Sequence, residues 1–198
     1  LDANTTAHNN TAVGYDALTT STTGTENVAV GRWALKANTT ASYNTALGTN
    51  TLQVNTTGAY NTAVGRSGLA ANTTGTQNTA VGYNSLDANT TASYNTALGY
   101  GALTSTTTGA NNVAVGTNAS WGNTTGIQNV SVGVTALNGN NTGSSNTALG
   151  KSALYSNSTA NDNTAVGTEA LYYNTTGTSN VAIGRSALVA NTTASNNT

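Results

Sequence analysis

A short motif returns along this chain at a constant interval. The pentapeptide Asn-(Thr/Val)-(Ala/Ser)-(Val/Leu/Ile)-Gly begins eleven times, from Asn10 to Asn180, and successive copies are always 17 residues apart. No insertion or deletion interrupts this spacing in the sequence. A strict period of this kind is typical of solenoids, in which each coil contacts only its neighbours along a rod. The repeat therefore restricts the fold more than any other feature.

The repeat unit favours short strands over helices. Counting the Asn of the pentapeptide as position 1, the unit is N-T-A-V-G-x-x-A-L-x-x-N-T-T-(G/A)-x-x. Thr, Asn and Gly dominate it, and 17 residues cannot hold two helices with their turns. The sequence thus predicts an all-β fold, a β-solenoid or β-roll of about twelve 17-residue coils, as a single repeat array over residues 1–198.

The alternation of side chains along a strand predicts which positions share a face. Positions 2 and 4 lie on one side of a strand over positions 2–4, and we expect this apolar side to point into the coil. The Ala column at position 3, from Ala12 to Ala182, is then expected at an axis between neighbouring chains. Gly at position 5 predicts a corner with positive φ. Positions 12–14 are expected to form a second strand and position 15 a second corner.

The thin coil predicts self-association. Few apolar side chains per coil would be buried against a cost of roughly 1–2 kcal/mol for each ordered residue. We therefore expect a parallel homo-oligomer, with three chains favoured. The chain begins with Leu1 at position 9 and ends with Thr198 at position 2, both inside a unit. This predicts a slice of a longer fibre, or a subunit that assembles end to end through exposed strand edges.

Composition argues against several classes of function. Charged residues make up 6% of the chain, with 5 Lys and Arg against 6 Asp and Glu, so nucleic acid is not an expected partner. The chain has no Cys and one His, which leaves no thiolate or paired-imidazole metal site. The chain contains no run of about 18 apolar residues, so membrane insertion of this segment is not expected. Acidic residues are scattered singly, without the pairing that acid–base catalysis needs. We expect no catalytic residue, cofactor or metal site, and no enzyme.

Two columns of Asn recur in the unit. Those at position 1 are predicted to stack amide on amide as a structural ladder, with donor and acceptor in each side chain. They are Asn10, Asn27, Asn44, Asn61, Asn78, Asn95, Asn112, Asn129, Asn146, Asn163 and Asn180. Those at position 12 open Asn-x-Ser/Thr sequons and are either candidate glycosylation sites or a second ladder. The candidate glycosylation sites are Asn38, Asn55, Asn72, Asn89, Asn123, Asn174 and Asn191.

Aromatic side chains occupy mainly the variable positions of the unit, which face outward in a solenoid. Exposed rings among Asn and Thr are suited to stacking on sugars or to packing between chains. The candidate surface-contact residues are Trp33, Trp121, Tyr155, Tyr172 and Tyr173. Position 9 is Leu in every unit except that of Ser120, the one clear break in the pattern, and Trp121 is predicted to fill the gap there.

The pentapeptide resembles the head repeats of YadA-like trimeric autotransporter adhesins. The most similar copies are those of residues 27–31 and 180–184, which read Asn-Val-Ala-Val-Gly and Asn-Val-Ala-Ile-Gly. Related repeats occur in bacteriophage tail fibres and bacterial surface fibres. The resemblance implies a left-handed β-roll, a parallel homotrimer, and an extracellular location on a cell surface or in a virion fibre.

Together these observations predict a non-enzymatic structural segment of an extracellular fibre or adhesin head. Its expected partners are other copies of the chain, together with glycans or matrix of a host surface. Two alternatives remain: a self-assembling surface filament, and an ice-binding β-solenoid. The ice-binding alternative depends on Thr columns such as Thr39, Thr56, Thr73 and Thr90 at position 13 and Thr40, Thr57, Thr74 and Thr91 at position 14.

Overall fold

A computed structural model describes residues 3–198 as a stack of short parallel strands. Each of eleven coils contributes one three-residue strand over positions 2–4, and the described residues contain no helix. The strands are β1 Thr11–Val13, β2 Val28–Val30, β3 Thr45–Leu47, β4 Thr62–Val64, β5 Thr79–Val81, β6 Thr96–Leu98, β7 Val113–Val115, β8 Val130–Val132, β9 Thr147–Leu149, β10 Thr164–Val166 and β11 Val181–Ile183. The predicted all-β solenoid is confirmed.

The strands form a single sheet in sequence order. Each strand pairs in parallel with the next, and equivalent positions lie opposite one another, as Ala12 does with Ala29. The N–H of Thr11 donates to the carbonyl of Asn27 at 2.8 Å, and the N–H of Gly31 donates to the carbonyl of Val13 at 2.8 Å. Because every coil repeats these bonds, each side chain is stacked on its counterpart 17 residues away.

The interior of the coil is narrow and lined by small residues and Leu. Ala at position 3, Ala at position 8 and Leu at position 9 are buried through the middle of the stack. A Cβ placed on Gly68, at position 8, would lie 3.5 Å from the Cβ of Ala63 at position 3. Two methyl groups therefore fill the space between the strand and the opposite wall.

This narrow interior reverses the predicted orientation of the strands. Ala29 and Ala46 are fully buried, whereas Val13 is 58% and Leu98 47% exposed. The prediction that positions 2 and 4 point inward is wrong, because a branched side chain does not fit where an Ala methyl is already in contact. The Ala column from Ala12 to Ala182 consequently lies inside each coil and cannot line an axis between chains.

The two corners of the coil differ from each other. In each of the eleven coils that contain a strand, Gly at position 5 has φ between 115° and 139°, which confirms the predicted corner. A Cβ on Gly65 would also lie 2.7 Å from the carbonyl oxygen of Gly82. The second strand predicted at positions 12–14 is absent from residues 3–198, where these positions bend. There the N–H groups of Thr22 and Thr23 both donate to the carbonyl of Thr39.

Left-handed backbone recurs at three further positions of every coil. Positions 7, 9 and 17 have positive φ, as in Trp33 (61°), Leu35 (50°) and Tyr43 (62°). Such a conformation costs roughly 1–2 kcal/mol for an ordinary residue. It is held here by bonds between coils, such as the one from the N–H of Leu35 to the carbonyl of Thr51 at 3.1 Å. This conformation could not be predicted from the residue types, since Leu has no preference for this region.

The break in the Leu column is matched by a break in the Ala column. Ser120 replaces Leu at position 9, and Ser131 replaces Ala at position 3 of the next coil. Their hydroxyls are buried and hydrogen-bonded at 2.8 Å, and they separate the apolar core into two parts. Trp121 is 48% exposed, so the prediction that it fills the gap is wrong. A hydroxyl pair occupies this point of the core instead.

Candidate binding surfaces

The Asn residues at position 1 form a continuous ladder along the rod. The Oδ1 of Asn10 accepts the backbone N–H of Asn27 at 2.8 Å, and the same bond recurs between successive coils as far as Asn180 and Asn197. The Nδ2 of Asn27 donates to the carbonyl of Ala41, at position 15, at 2.9 Å. Asn27 to Asn180 are buried throughout. The ladder thus ties the strand to the opposite bend.

The Asn residues at position 12 are part of the same interior network. The Nδ2 of Asn38 donates to the carbonyl of Ala41 at 3.0 Å, so this carbonyl accepts from both Asn columns. Asn191 lies near the end of the stack, and its Nδ2 donates to the Oδ1 of Asn174 at 2.8 Å and to the carbonyl of Ala194 at 3.0 Å. The candidate glycosylation sites other than Asn191 are fully buried: Asn38, Asn55, Asn72, Asn89, Asn123 and Asn174.

This burial argues against glycosylation of these six residues in the folded chain. A glycan is attached through Nδ2, and in Asn38, Asn55, Asn72 and their counterparts this nitrogen already donates inside the coil. A sugar there would have to displace the interior bonds and open the coil. The sequons are a by-product of an Asn ladder followed by Thr.

Two rungs of the second ladder are missing, at Ser21 and at Thr106, and only the gap at Thr106 leaves a buried amide oxygen without a donor in the described part of the chain. Thr106 stands at position 12 between Asn89 and Asn123. The Nδ2 of Asn89 donates to the Oδ1 of Asn72 at 2.8 Å, but no group among residues 3–198 donates to the buried Oδ1 of Asn89. The Oγ1 of Thr106 donates instead to the carbonyl of Asn123 at 3.0 Å. Thr supplies no amide to continue the ladder.

The outward side chains at positions 2 and 4 of β1–β11 form a continuous surface, here called the strand face. Position 2 is Thr or Val and position 4 is Val, Leu or Ile in every strand, so the face carries no charged residue. Leu47, Leu98 and Leu149 are all more than a third exposed. Eleven strands about 4.8 Å apart and about 10 Å long give this face a projected area of about 500 Å².

A second regular surface is the threonine column, the Thr residues at position 14. All twelve, from Thr6 to Thr193, are exposed. Within residues 3–198, none of their hydroxyls takes part in a side-chain hydrogen bond. The Thr residues at position 13 differ, because their hydroxyls bond to the next coil, as Thr56 does to the carbonyl of Thr73 at 3.0 Å. Of these two Thr columns, only the one at position 14 therefore presents free hydroxyls.

Among the described residues, neither tryptophan forms a ring pair with Tyr155, Tyr172 or Tyr173. Trp33 is half-buried, with the Arg32 guanidinium 3.8 Å from its ring centroid and the Lys36 ammonium 5.3 Å away. Lys36 also pairs with Asp16 at 3.0 Å. Trp121 is exposed, and no ring among the described residues pairs with it. Trp33 is thus covered by cations and Trp121 stands alone.

Tyr155, Tyr172 and Tyr173 form what we call the tyrosine cluster. The rings of Tyr155 and Tyr172 stack with centroids 4.9 Å apart and planes 6° apart. The ring of Tyr173 meets that of Tyr172 edge-on, at 4.7 Å and 74°. A cavity of about 220 Å³ adjoins the cluster, lined by Glu169, Tyr172, Tyr173 and Val189. Sequence reasoning found the three tyrosines and missed Glu169 and Val189, which the stacking of two coils brings to them.

Two ionisable groups titrate away from their ordinary range. Burial raises the pKa of the Tyr172 hydroxyl, with further contributions from Tyr155, Tyr173 and Glu169, so this hydroxyl is protonated at neutral pH. Burial alone raises the pKa of the Asp87 carboxyl. Asp87 holds position 10, the same position as Tyr155 and Tyr172, four coils before Tyr155 and five before Tyr172.

The described residues hold no cluster of three or more His, Cys, Asp or Glu side chains placed to bind a metal ion. None of them forms a helix with the length and hydropathy that crossing a bilayer requires. Comparison with known protein families, with curated proteins and with solved structures gave no match. The surfaces of the rod itself are therefore the features that bear on function.

Proposed function

We propose that this chain is a non-enzymatic structural segment of an extracellular fibre or adhesin head, assembled as a parallel homotrimer. The observation that carries the proposal is the strand face, which is uncharged, has Val, Leu or Ile at position 4 of every strand and is uninterrupted over eleven strands. Exposed apolar patches of several hundred Å² mark interaction sites on soluble proteins. The role of the segment is to extend the fibre and to present a surface for adhesion.

A second copy of the chain is the partner that fits this face. Val and Leu at position 4 recur once per coil, and a parallel copy repeats at the same interval, so the same contact is made in every coil. A partner without this period would meet the face in only a few places. With Ala inside the coil, it is the strand face that we place at the axis between chains, in contrast to the axis that the sequence suggested.

Light scattering tests this assembly. The wild-type chain is expected to have a mass near three times the 19.7 kDa of one chain. Leu98→Lys places a charge on the strand face and is expected to lower the mass to that of the monomer. The control is Thr108→Lys in the same coil, at position 14, which is expected to leave the trimer intact. A wild-type monomer would contradict the proposal, and a mass that grows with concentration would favour an end-to-end filament.

The threonine column supports ice binding as a second candidate function. Its hydroxyls are exposed and free in every coil, and they repeat at the coil spacing of about 4.8 Å. Freezing-point hysteresis separates the two candidates. Activity in the wild type that is lost in Thr91→Tyr and kept in Leu98→Lys would favour ice binding. The fibre proposal predicts no hysteresis in the wild type, in Thr91→Tyr or in Leu98→Lys.

A further inference from the structure

The column of side chains at position 10 changes character near the end of the stack. Three successive coils place Tyr155, Tyr172 and Val189 at this position. The first two rings are 4.9 Å apart, close to the step of about 4.8 Å between coils. Val189 has no ring, so the stacking stops at Tyr172. The cavity of about 220 Å³ lies where a third ring would continue the column.

The walls of this cavity are held by the backbone of adjacent coils. The N–H of Tyr173 donates to the carbonyl of Val189 at 3.4 Å, and the N–H of Glu169 donates to the carbonyl of Lys151 at 2.9 Å. The Tyr173 ring stands nearly perpendicular to that of Tyr172 and is 55% exposed. The cavity is thus a corner that adjoins two tyrosine rings standing nearly perpendicular to each other.

We propose that this corner binds a single uncharged pyranose ring, stacked on Tyr172 in the place of the missing third ring. The C–H face of a sugar packs on an aromatic face, while its hydroxyls seek hydrogen-bonding partners. The Glu169 side chain offers carboxyl oxygens as acceptors for these hydroxyls. The cavity is smaller than the roughly 300–1,000 Å³ of pockets for drug-sized ligands, so one ring fits it.

Charge at the site selects against acidic sugars. Among residues 3–198, the one ion pair joins Lys36 and Asp16, so no Lys or Arg side chain forms an ion pair with Glu169. A sialic acid or a sulfated sugar would bring a second negative charge against this carboxylate. The protonated Tyr172 hydroxyl adds a hydrogen-bond donor beside it. The inference deepens the proposed function and depends on it, because a glycan is then the adhesion target of the fibre.

Saturation-transfer NMR on the full chain tests the site. Methyl β-galactopyranoside and methyl N-acetyl-β-glucosaminide are the uncharged probes, and a methyl sialoside is the acidic probe. We expect signal for the uncharged probes only. Tyr172→Ala is expected to weaken their binding about tenfold, since it removes the stacking partner. Absence of signal from the uncharged probes, or a stronger signal from the sialoside, would overturn the inference.

Val189→Tyr is the sharper variant, because it fills the cavity without disturbing the coil. The new ring continues the column of Tyr155 and Tyr172, so the variant is expected to fold and to lose binding. Ala70→Tyr adds a ring at the same position in a distant coil and is expected to bind as the wild type does. Equal binding by Val189→Tyr and the wild type would place the sugar elsewhere and overturn the site.

Glu169→Gln separates charge from shape. The amide keeps an acceptor oxygen in place but removes the negative charge, so the sialoside is expected to gain signal. Unchanged exclusion of the sialoside would contradict the role given to Glu169. The mass of the same samples is measured independently. A trimer without sugar binding would overturn this inference alone, whereas a monomer that binds the uncharged probes would overturn the trimer and support the site.

Discussion

At the scale of single residues, the stack depends on amide side chains that complete the hydrogen bonds of the interior. Each buried Asn bonds to its neighbours in the next coil as well as to its own, so one substitution affects two coils. The orphaned Oδ1 of Asn89 shows what a missing rung leaves behind. A buried acceptor without a donor costs about 1–3 kcal/mol. The ladder is therefore the place where a single residue has most effect on stability.

Thr106→Asn is expected to repair the ladder. Its Nδ2 would donate to the Oδ1 of Asn89 and to the carbonyl of Gly109, as Asn72 does to Asn55 and Gly75. We expect the free energy of unfolding to rise by about 1 kcal/mol, since the lost bond from Thr106 Oγ1 offsets part of the gain. Thermal unfolding at fixed protein concentration measures the change. The adjacent Thr107→Asn is the control, and a stability gain in that variant alone would contradict the explanation.

Asp87 makes stability depend on pH. Its folded-state pKa is raised above 3.8, so the folded chain binds this proton more tightly than the unfolded chain does. Its contribution is most favourable below that value, and stability falls as pH rises through the folded pKa. Asp87→Asn is expected to melt at a higher temperature than the wild type at pH 7 and at nearly the same temperature at pH 3. Asp162→Asn, at an exposed site, controls for the loss of one charge. A lower melting temperature of Asp87→Asn at pH 7 would refute this account.

At the scale of the coil, the Ser120 and Ser131 pair is a compensated change. In the other coils, Leu at position 9 faces Ala at position 3. Here Ser replaces both residues, and the two hydroxyls bond to each other. Removing one partner alone leaves a buried hydroxyl without its bond, at about 1–3 kcal/mol. Restoring both to the common pair buries one more Leu, worth about 1.5–3 kcal/mol.

A double-mutant cycle tests this coupling. Ser131→Ala alone is expected to destabilise the chain, whereas Ser120→Leu with Ser131→Ala is expected to stabilise it relative to the wild type. The effects of the single variants are expected not to add, because the two residues are in contact. Purely additive changes in melting temperature would show that the hydroxyl pair has no energetic role.

The sequence predicted the coil better than it predicted the coil's interior. A fixed period, strand-forming residues at positions 2–4 and Gly at position 5 sufficed for the solenoid and its first corner. Alternation established that positions 2 and 4 share a face but not which face is inside. That choice depends on the distance across the coil, as between Gly68 and Ala63, and no single-residue preference encodes it. The left-handed Leu residues escaped prediction because contacts between coils stabilise them.

Prediction of the candidate sites from the sequence was limited in the same way. Aromatic residues at variable positions indicated a surface role for Tyr155, Tyr172 and Tyr173. Glu169 and Val189 stand at positions 7 and 10 of different coils, and only the path of the chain brings them to one cavity. Conversely, the sequons at position 12 suggested an exposed site, but the amides are inside. A sequon signals a surface only when the fold leaves its amide free.

At the scale of the whole molecule, the rod combines two faces with different chemistry. The strand face is uncharged and repeats an apolar side chain at position 4 of every strand, which suits contact with another rod. The opposite bends and turns carry Thr, Asn and scattered aromatic rings, which suit contact with water and sugars. Because every coil repeats both faces, both extend along the length of the rod.

Cross-linking of a single introduced cysteine tests the central claim most directly, because the chain has no Cys of its own. In a parallel trimer built on the strand face, Leu98 of each chain lies near Leu98 of its neighbours. Leu98→Cys is therefore expected to form disulfide-linked dimers under mild oxidation, whereas Thr108→Cys is expected to stay monomeric on a non-reducing gel. Cross-linking of Thr108→Cys without cross-linking of Leu98→Cys would contradict the account.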